Sequence, residues 1–428
     1  MAGILVLLLK NIQGGGLLKH RIRKSALVIT TQVSNTIKLL LQDEAISGKI
    51  LLGAAIIAII TANSPLRDIY DAFWLRHFSI AFGGTGVSET LKHWINEGLM
   101  ALFFLVISLE IKREIVWGEL RHWRVAALPV AAAIGGALVP IGLYMLVNHG
   151  HAGAHGWGVP MTTDTAFCIG LLALLGKRVP LPLKLFLLTA TVVDDVGAIT
   201  AIAVFYNHAV HIVPLLWGMG VLATILILHW IRLLRLTTFV ALGVVLWLAI
   251  HASGVPASIT GVILGLSAPL MTRRKTKGAI ANRLERALIP VSTLLVVPLF
   301  AFANAGVSIS RDTFTTNDAA LTGVGVAMGL VAGKALGIFT GAWIVVKMRL
   351  SSLPAGIRWG HIGGVGFLSG VGFTLSIFIA ELAFEEQPIL LRAAKVSVFA
   401  ASLVSAVIGL IVVRISCRRS EPITPDED

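Results

Sequence analysis

Long uniformly hydrophobic runs, separated by short polar segments, extend along most of this 428-residue chain. Runs such as LLGAAIIAII, VLATILILHW and SLVSAVIGLIVV do not alternate apolar with polar residues, as the strands of a membrane barrel would. A helix needs about 20 such residues to cross a hydrocarbon layer about 30 Å thick. The pattern therefore predicts an all-α polytopic membrane protein with twelve transmembrane helices, near residues 49–63, 95–111, 125–147, 157–176, 185–206, 212–230, 237–252, 256–271, 288–309, 320–346, 361–384 and 396–413.

The basic residues are distributed unevenly between the two sides of these spans. The chain has 35 lysines and arginines and a net charge of +13. With both termini in the cytoplasm, 28 of the 35 fall on the cytoplasmic side, six fall outside, and Lys334 falls inside a span. This bias is the positive-inside rule, and it predicts the orientation. The charge thus indicates contact with anionic membrane lipids and no nucleic-acid partner.

The chain divides into three predicted parts. Residues 1–43 form an N-terminal cytoplasmic or membrane-surface extension, with GGG at 14–16 and a basic KHRIRK at 19–24. Residues 44–415 form one transmembrane domain, and residues 416–428 form a polar cytoplasmic tail. The two cysteines lie far apart in the sequence, so we expect neither a disulfide framework nor a metal cluster.

One outside segment, FWLRHFSIAFGGTGVSETLKHW, lies between the first two spans and alternates apolar with polar residues around a glycine-rich turn. Those features predict a short periplasmic β-hairpin, with a plain loop as the alternative. A hairpin has free edges that can pair with a second copy of the chain.

Charged residues within the spans give the strongest functional signal. A charge at the centre of a spanning helix costs about 2.5–3.5 kcal/mol on insertion scales. Span four nevertheless contains Asp164, span five contains Asp194 and Asp195, and span ten contains Lys334. Neighbours on a helix diverge by about 100°, so Asp194 and Asp195 need different partners: one pairs with Lys334, and the other faces an aqueous cavity. A purely structural ion pair is the alternative, but it leaves two acids unexplained.

Two spans carry features that interrupt a helix. In span four, Pro160, Thr162, Thr163 and Thr165 surround Asp164, and an unwound backbone there would present oxygens suited to a hard cation. In span eleven, five glycines interrupt the sequence GGVGFLSGVGF. Interrupted spans at corresponding places in two halves are typical of a transporter site. The glycines of span eleven also fit the alternative of close helix packing.

Six motifs occur in the order and spacing of one known family. The chain resembles the bacterial NhaA-type sodium/proton antiporters from about residue 38 to residue 415, on TTDTAF, LALLGKRVPLPLKLFLL, VVDDVGAI, PLFAFANAG, GKALG and GVGFTLSIFIA. The resemblance implies a bacterial inner-membrane protein whose helices form inverted repeats, with discontinuous spans four and eleven. Broken helices in inverted repeats are known for this family and are carried over from it. It also implies a homodimer formed through the periplasmic hairpin.

The resemblance further implies a role for each intramembrane charge. Asp195 and Asp194 would bind Na⁺, with Thr163 nearby. Asp164 would compensate the helix ends where the interrupted spans cross, and Lys334 would pair with Asp194.

The same family carries a pH-response region at the cytoplasmic side. Its matching positions here are Glu110, Arg113, Glu114 and Glu285. At three places where members often carry histidines, this chain has Pro256, Arg286 and Ile289, so the chain lacks those titratable groups. A proline that can follow the buried lysine is also replaced, by Ala335, and we expect this change to leave transport intact.

The predicted function is therefore electrogenic export of Na⁺, and of Li⁺, in exchange for H⁺ by alternating access, active at alkaline pH and without a cofactor. We considered two rivals. An intramembrane aspartyl protease needs two facing carboxylates and carries GxGD or PAL motifs that this sequence lacks, so we expect no enzyme. A proton-coupled carrier of organic substrates would need more basic or aromatic anchors at mid-depth than Lys334 alone.

Overall fold

The computed structural model describes residues 44–82, 85–207, 210–269, 280–308 and 311–418, most of which are helical. The predicted extension at 1–43 and most of the predicted tail lie outside the described residues. In chain order the helices are α1 Glu44–Ala62, α2 Arg67–Trp74, α3 Met100–Trp117, α4 Trp123–Asn148, α5 Thr165–Leu174, α6 Leu181–Phe205, α7 Ile212–Trp230, α8 Leu236–Ala252, α9 Ile259–Ser267, α10 Ile280–Asn304, α11 Asn317–Lys347, α12 Trp359–Leu368, α13 Phe373–Ala383 and α14 Pro388–Arg418.

Shorter helical segments adjoin these helices. A short helix, Leu91–His93, and a π-helical turn, Trp94–Leu99, lead directly into α3. Two further π-helical turns, Ser292–Val296 and Gly329–Gly333, interrupt α10 and α11. Such turns widen a helix by one residue and often occur at functional sites. The 3₁₀ segments are Glu119–Arg121, Ala152–Met161, Gly176–Arg178 and Arg311–Phe314.

Within the described residues, six helices are long and apolar enough to cross a membrane: α4, α6, α7, α10, α11 and α14. Three pairs of shorter helices pass the same test together but are bent. The angle between the two helices is 115° for α1 and α2, 46° for Ala152–Met161 and α5, and 47° for α12 and α13. The chain is thus a multi-pass helical membrane protein.

The last helix extends beyond the last predicted span. Helix α14 begins at Pro388, about two turns before the predicted start at residue 396. It therefore contains Lys395, which the sequence places in an outside loop and the structure leaves only 5% exposed. The polar residues of EEQPILLRAAK hid this part of the helix, because their burial depends on partners elsewhere in the chain.

Helices α4 and α11 pack so closely that only glycine fits at their contact. A Cβ added to Gly135 would lie 2.1 Å from the carbonyl oxygen of Gly337, and a Cβ added to Gly337 would lie equally close to that of Gly135. Small residues allow this kind of backbone approach between membrane helices. One turn away, the aliphatic stem of Lys334 lies 3.9 Å from the Cβ position of Gly136. The close packing thus holds the buried lysine against α4.

The predicted hairpin is confirmed as a two-stranded antiparallel sheet, β1 His77–Phe82 and β2 Thr85–Thr90. Ser79 pairs with Ser88, and their hydroxyl oxygens are 2.6 Å apart. Phe78 and Ile80 are 52% and 56% exposed, so the hairpin carries apolar surface as well as free backbone edges.

Candidate functional site: two interrupted helices beside three buried acids

The two interrupted pairs meet at their breaks. Three residues, Thr162 to Asp164, separate the segment Ala152–Met161 from α5, and Asp164 has an extended backbone. Four residues, Ser369 to Gly372, separate α12 from α13. The backbone N–H of Asp164 donates to the Val371 carbonyl at 2.7 Å, and the Thr163 hydroxyl donates to the Ser369 carbonyl at 2.8 Å. Each break therefore satisfies polar backbone groups of the other, as buried non-helical backbone requires.

Asp164 lies at the N-termini of both α5 and α13. One carboxylate oxygen accepts from the backbone N–H of Phe167 at 3.2 Å, and the other accepts from the backbone N–H of Thr374 at 3.2 Å and from the Thr374 hydroxyl. Helix N-termini carry a partial positive charge and unpaired N–H groups, so both favour a carboxylate. The side chain of Asp164 thus caps two helices. The resemblance implied only that Asp164 compensates the charge of the helix ends.

The structure places Lys334 against Asp194. The lysine Nζ lies 2.9 and 2.8 Å from the two carboxylate oxygens, and the side chains are 1% and 4% exposed. The π-helical turn Gly329–Gly333 ends immediately before Lys334 and shifts the residues around it relative to a regular helix. This bidentate contact joins α6 to α11 through a fully buried ion pair.

Asp195 points elsewhere, as expected for the next residue on a helix. It lines a cavity of about 190 Å³ together with Thr163, Asp164, Glu110 and Thr374. Within the described part of the chain, no group donates a hydrogen bond to the Asp195 carboxylate. The cavity therefore offers an unengaged carboxylate beside hydroxyl and carboxylate oxygens, which are the ligands of hard cations.

Among the described residues, no cluster of three or more histidine, cysteine, aspartate or glutamate side chains could hold a metal ion.

The predicted pH-response residues are brought together in part. Arg113 pairs with Glu285 and lies 3.9 Å from Glu110, which joins α3 to α10 near the cavity. Glu114 lies one turn from Glu110 on α3, and its carboxylate accepts from the backbone N–H of Glu119 at 2.8 Å.

Several site residues were missed from the sequence. Thr374, which binds Asp164, lies directly after the glycines of span eleven, and that position could have drawn attention to it. A buried cluster at the other end of α13 was also missed. Glu381 pairs with Lys92 at 2.7 Å and with Lys395, and Lys395 also donates to the Asn304 carbonyl at 2.9 Å. Lysines near span ends read as ordinary loop charges in the sequence.

The Asp194–Lys334 contact predicts how single and double substitutions affect stability. Lys334→Gln or Asp194→Asn alone leaves a buried charge unpaired, at a cost of about 3–5 kcal/mol. The double variant removes both charges, so its thermal unfolding temperature in detergent should exceed that of Lys334→Gln. Lys347→Gln, on an exposed part of α11, is the control and should change little. A double variant no more stable than either single variant would show that the contact does not contribute as a pair.

Comparison with known proteins finds a family and relatives that match over most of the chain. The profile of the family described as Na⁺/H⁺ antiporter 1 matches residues 38–413. The chain is 42% identical over 385 residues to Na⁺/H⁺ antiporter NhaA 1 of Syntrophotalea carbinolica, covering 90% of this chain and 97% of that protein. It is 42% identical over 389 residues to Na⁺/H⁺ antiporter NhaA of Tolumonas auensis, with the same coverage. It is 39% identical over 427 residues to Na⁺/H⁺ antiporter NhaA 3 of Frankia alni, covering 93% and 92%. With these matches over nearly its whole length, the chain belongs to the NhaA family of Na⁺/H⁺ antiporters.

Proposed function

We propose that this protein exports Na⁺ in exchange for H⁺, with Asp195 as the principal ligand of both. The observation that carries the proposal is that two adjacent acids, Asp194 and Asp195, have different hydrogen-bond partners. Lys334 engages both oxygens of Asp194, whereas the Asp195 carboxylate lines the cavity without a hydrogen-bond donor among the described residues. A carboxylate that is already neutralised binds a cation poorly, so the free one is the better ligand.

Protons and sodium compete for this carboxylate, because a protonated aspartate offers no charge to the ion. The loaded site then faces one side with sodium and returns with protons, which gives exchange by alternating access. We propose that Asp194 joins the ion when Lys334 releases it, so that both acids contribute protons. Two protons entering for each Na⁺ make the cycle electrogenic. Li⁺, a smaller hard cation, would use the same oxygens.

Regulation by pH would act through the group beside the cavity. Glu110 lines the cavity, and Arg113 links it to Glu285 on α10. The ion pair of Arg113 with Glu285 ties α3 to α10, whereas Glu110 lies on α3 beside the same guanidinium. We therefore propose that this group adjusts access to Asp195, and that alkaline pH favours activity by keeping the acids charged.

The proposed architecture has twelve spans. The six long helices, the two pairs interrupted at Thr162–Asp164 and Ser369–Gly372, and the helices α1, α3, α8 and α9 together give that number. The interrupted pairs are the discontinuous spans four and eleven of two inverted repeats. We place both termini in the cytoplasm of a bacterial inner membrane and the β-hairpin in the periplasm, in keeping with the distribution of basic residues.

Exchange can be tested in proteoliposomes that contain a pH-sensitive dye. Added Na⁺ should move protons, and the rate should rise from about pH 6 to about pH 9 as the carboxylates lose protons. Asp195→Asn keeps the shape of the side chain but removes the charge, so it should abolish the signal. Asp68→Asn changes an exposed acid on α2 and serves as the control. A flat pH profile, or full activity of Asp195→Asn, would contradict competition at this site.

The proposed orientation predicts where an added cysteine reacts. Arg274→Cys, in a variant lacking Cys168 and Cys417, should resist a membrane-impermeant thiol reagent applied to intact cells and react after the cells are opened. Ser88→Cys on the hairpin, tested in the same background, should react in intact cells. Efficient labelling of position 274 from outside would reverse the topology.

The free edges of the hairpin support the proposed homodimer. Phe78→Lys with Ile80→Lys places charges on its exposed apolar surface, which opposes pairing between copies. Native mass spectrometry should then show monomers at protein concentrations where the parent is dimeric. Ile69→Lys, at a still more exposed apolar position on α2, should leave the dimer intact. Unchanged dimers in the double variant would exclude the hairpin as the interface.

A further inference from the structure

A second cavity, separate from the acidic site, has different walls and different charges. It is a groove of about 890 Å³ between the start of α4, the start of α6 and the end of α11. Its walls are mainly apolar: Val125, Leu185 and Leu350, for example, are 53%, 45% and 44% exposed. Exposed apolar walls between membrane helices take up lipid rather than a water-soluble ligand. Apolarity alone does not distinguish one lipid from another.

Two arginines line the rim of this groove, and their charge favours an anionic lipid over a neutral one. Arg124 is the second residue of α4, and Arg349 follows the end of α11. Ser351 joins the two segments by donating from its hydroxyl to the Arg124 carbonyl at 3.1 Å. Among the described residues no carboxylate forms an ion pair with either arginine, although Glu119 also lines the groove. The rim thus has two guanidinium groups available for an anion.

The surroundings of both arginines suit a headgroup at the membrane surface. The Arg124 guanidinium lies over the Trp123 ring, 5.4 Å from its centroid, and Trp123 is 63% exposed. Tryptophan concentrates at the level of lipid headgroups. Arg349 has a φ of 57°, in the left-handed region where a helix commonly ends with glycine. Arg349 therefore places a long cationic side chain at a position where the backbone conformation favours glycine, which has no side chain.

The groove also reaches towards the ion pair. Thr189 and Phe186 of α6 form part of its wall, and Thr189 lies five residues before Asp194 on the same helix. Another wall belongs to α11, which carries Lys334. Whatever fills the groove therefore contacts both helices that the Asp194–Lys334 contact joins.

We propose that this groove binds one anionic glycerophospholipid, with its phosphate between Arg124 and Arg349 and its acyl chains along the apolar walls. Arginine matches the geometry of a phosphate by donating two parallel hydrogen bonds, and the apolar walls match the chains. The orientation proposed above places the site in the cytoplasmic leaflet, where anionic lipids are recognised by clustered basic residues. The site does not depend on the antiport mechanism.

The test is photo-labelling of the full-length protein in phosphatidylethanolamine vesicles that contain a trace of diazirine-bearing phosphatidylglycerol. Peptide mass spectrometry should find lipid adducts on Trp123–Pro129 and Pro182–Thr189. Each basic residue near an anionic lipid contributes roughly fivefold to binding, so Arg124→Gln with Arg349→Gln should reduce these adducts about tenfold or more. The lysine pair, Arg124→Lys with Arg349→Lys, should retain most of them.

Controls separate the groove from general attraction to charge. Arg414→Gln with Arg418→Gln removes two exposed charges from the same end of α14 and should leave groove adducts unchanged. A diazirine analogue of phosphatidylethanolamine should label the groove far less than the anionic probe. Three results would each overturn the proposal. They are equal labelling by both probes, no loss of adducts in the glutamine pair, and a groove without adducts because residues 1–43 or another chain fill it. Sodium-driven proton movement in the same vesicles reports separately on the proposed transport.

Discussion

The structure depends on one constraint: polar backbone groups exposed by breaking a helix inside a membrane must be satisfied by the protein. Each such group left unpaired costs several kcal/mol, because lipid provides no hydrogen bonds. Asp164 meets this requirement for two helices by accepting from the backbone of Phe167 in α5 and of Thr374 in α13. The breaks also complete each other through the contact of Asp164 with Val371. Neither interrupted helix would be stable at this depth without the other, so the two form a single unit.

Around this unit, the three buried acids have different environments. Asp164 is held by helix N-termini, Asp194 is held by Lys334, and Asp195 faces the cavity. Asp194 and Asp195 differ because they are adjacent on α6. A helix turns by about 100° per residue, so their side chains point in different directions. In the proposed mechanism, Asp164 keeps the interrupted helices in place, Asp195 exchanges its ligand, and Asp194 joins the ion when Lys334 releases it. A site of three equivalent acids would have no such division, and their mutual repulsion would keep some protonated.

Helix α13 connects this site to the opposite end of the molecule. Thr374 lines the 190 Å³ cavity, whereas Phe378, one turn later, lines a second cavity of about 410 Å³ with Glu381. Phe378 is fully buried and packs against Phe104, with ring centroids 5.4 Å apart. Thr374 and Phe378, which line different cavities, are thus about one helical turn apart along α13.

The sequence by itself determined the membrane class, most helices and the four mid-span charges, and it favoured the hairpin over a plain loop. Those features leave local marks, since lipid imposes apolar runs and makes Asp164, Asp194, Asp195 and Lys334 conspicuous. The residues alone left the partner of Lys334 open, and the family resemblance pointed to Asp194. The tertiary structure shows that contact, which joins residues 140 positions apart. It also decided that Thr374 binds Asp164 across 210 positions and that Lys395 is buried. A buried polar group is stable only with its partners, and those partners come from other helices, so no local pattern could identify them.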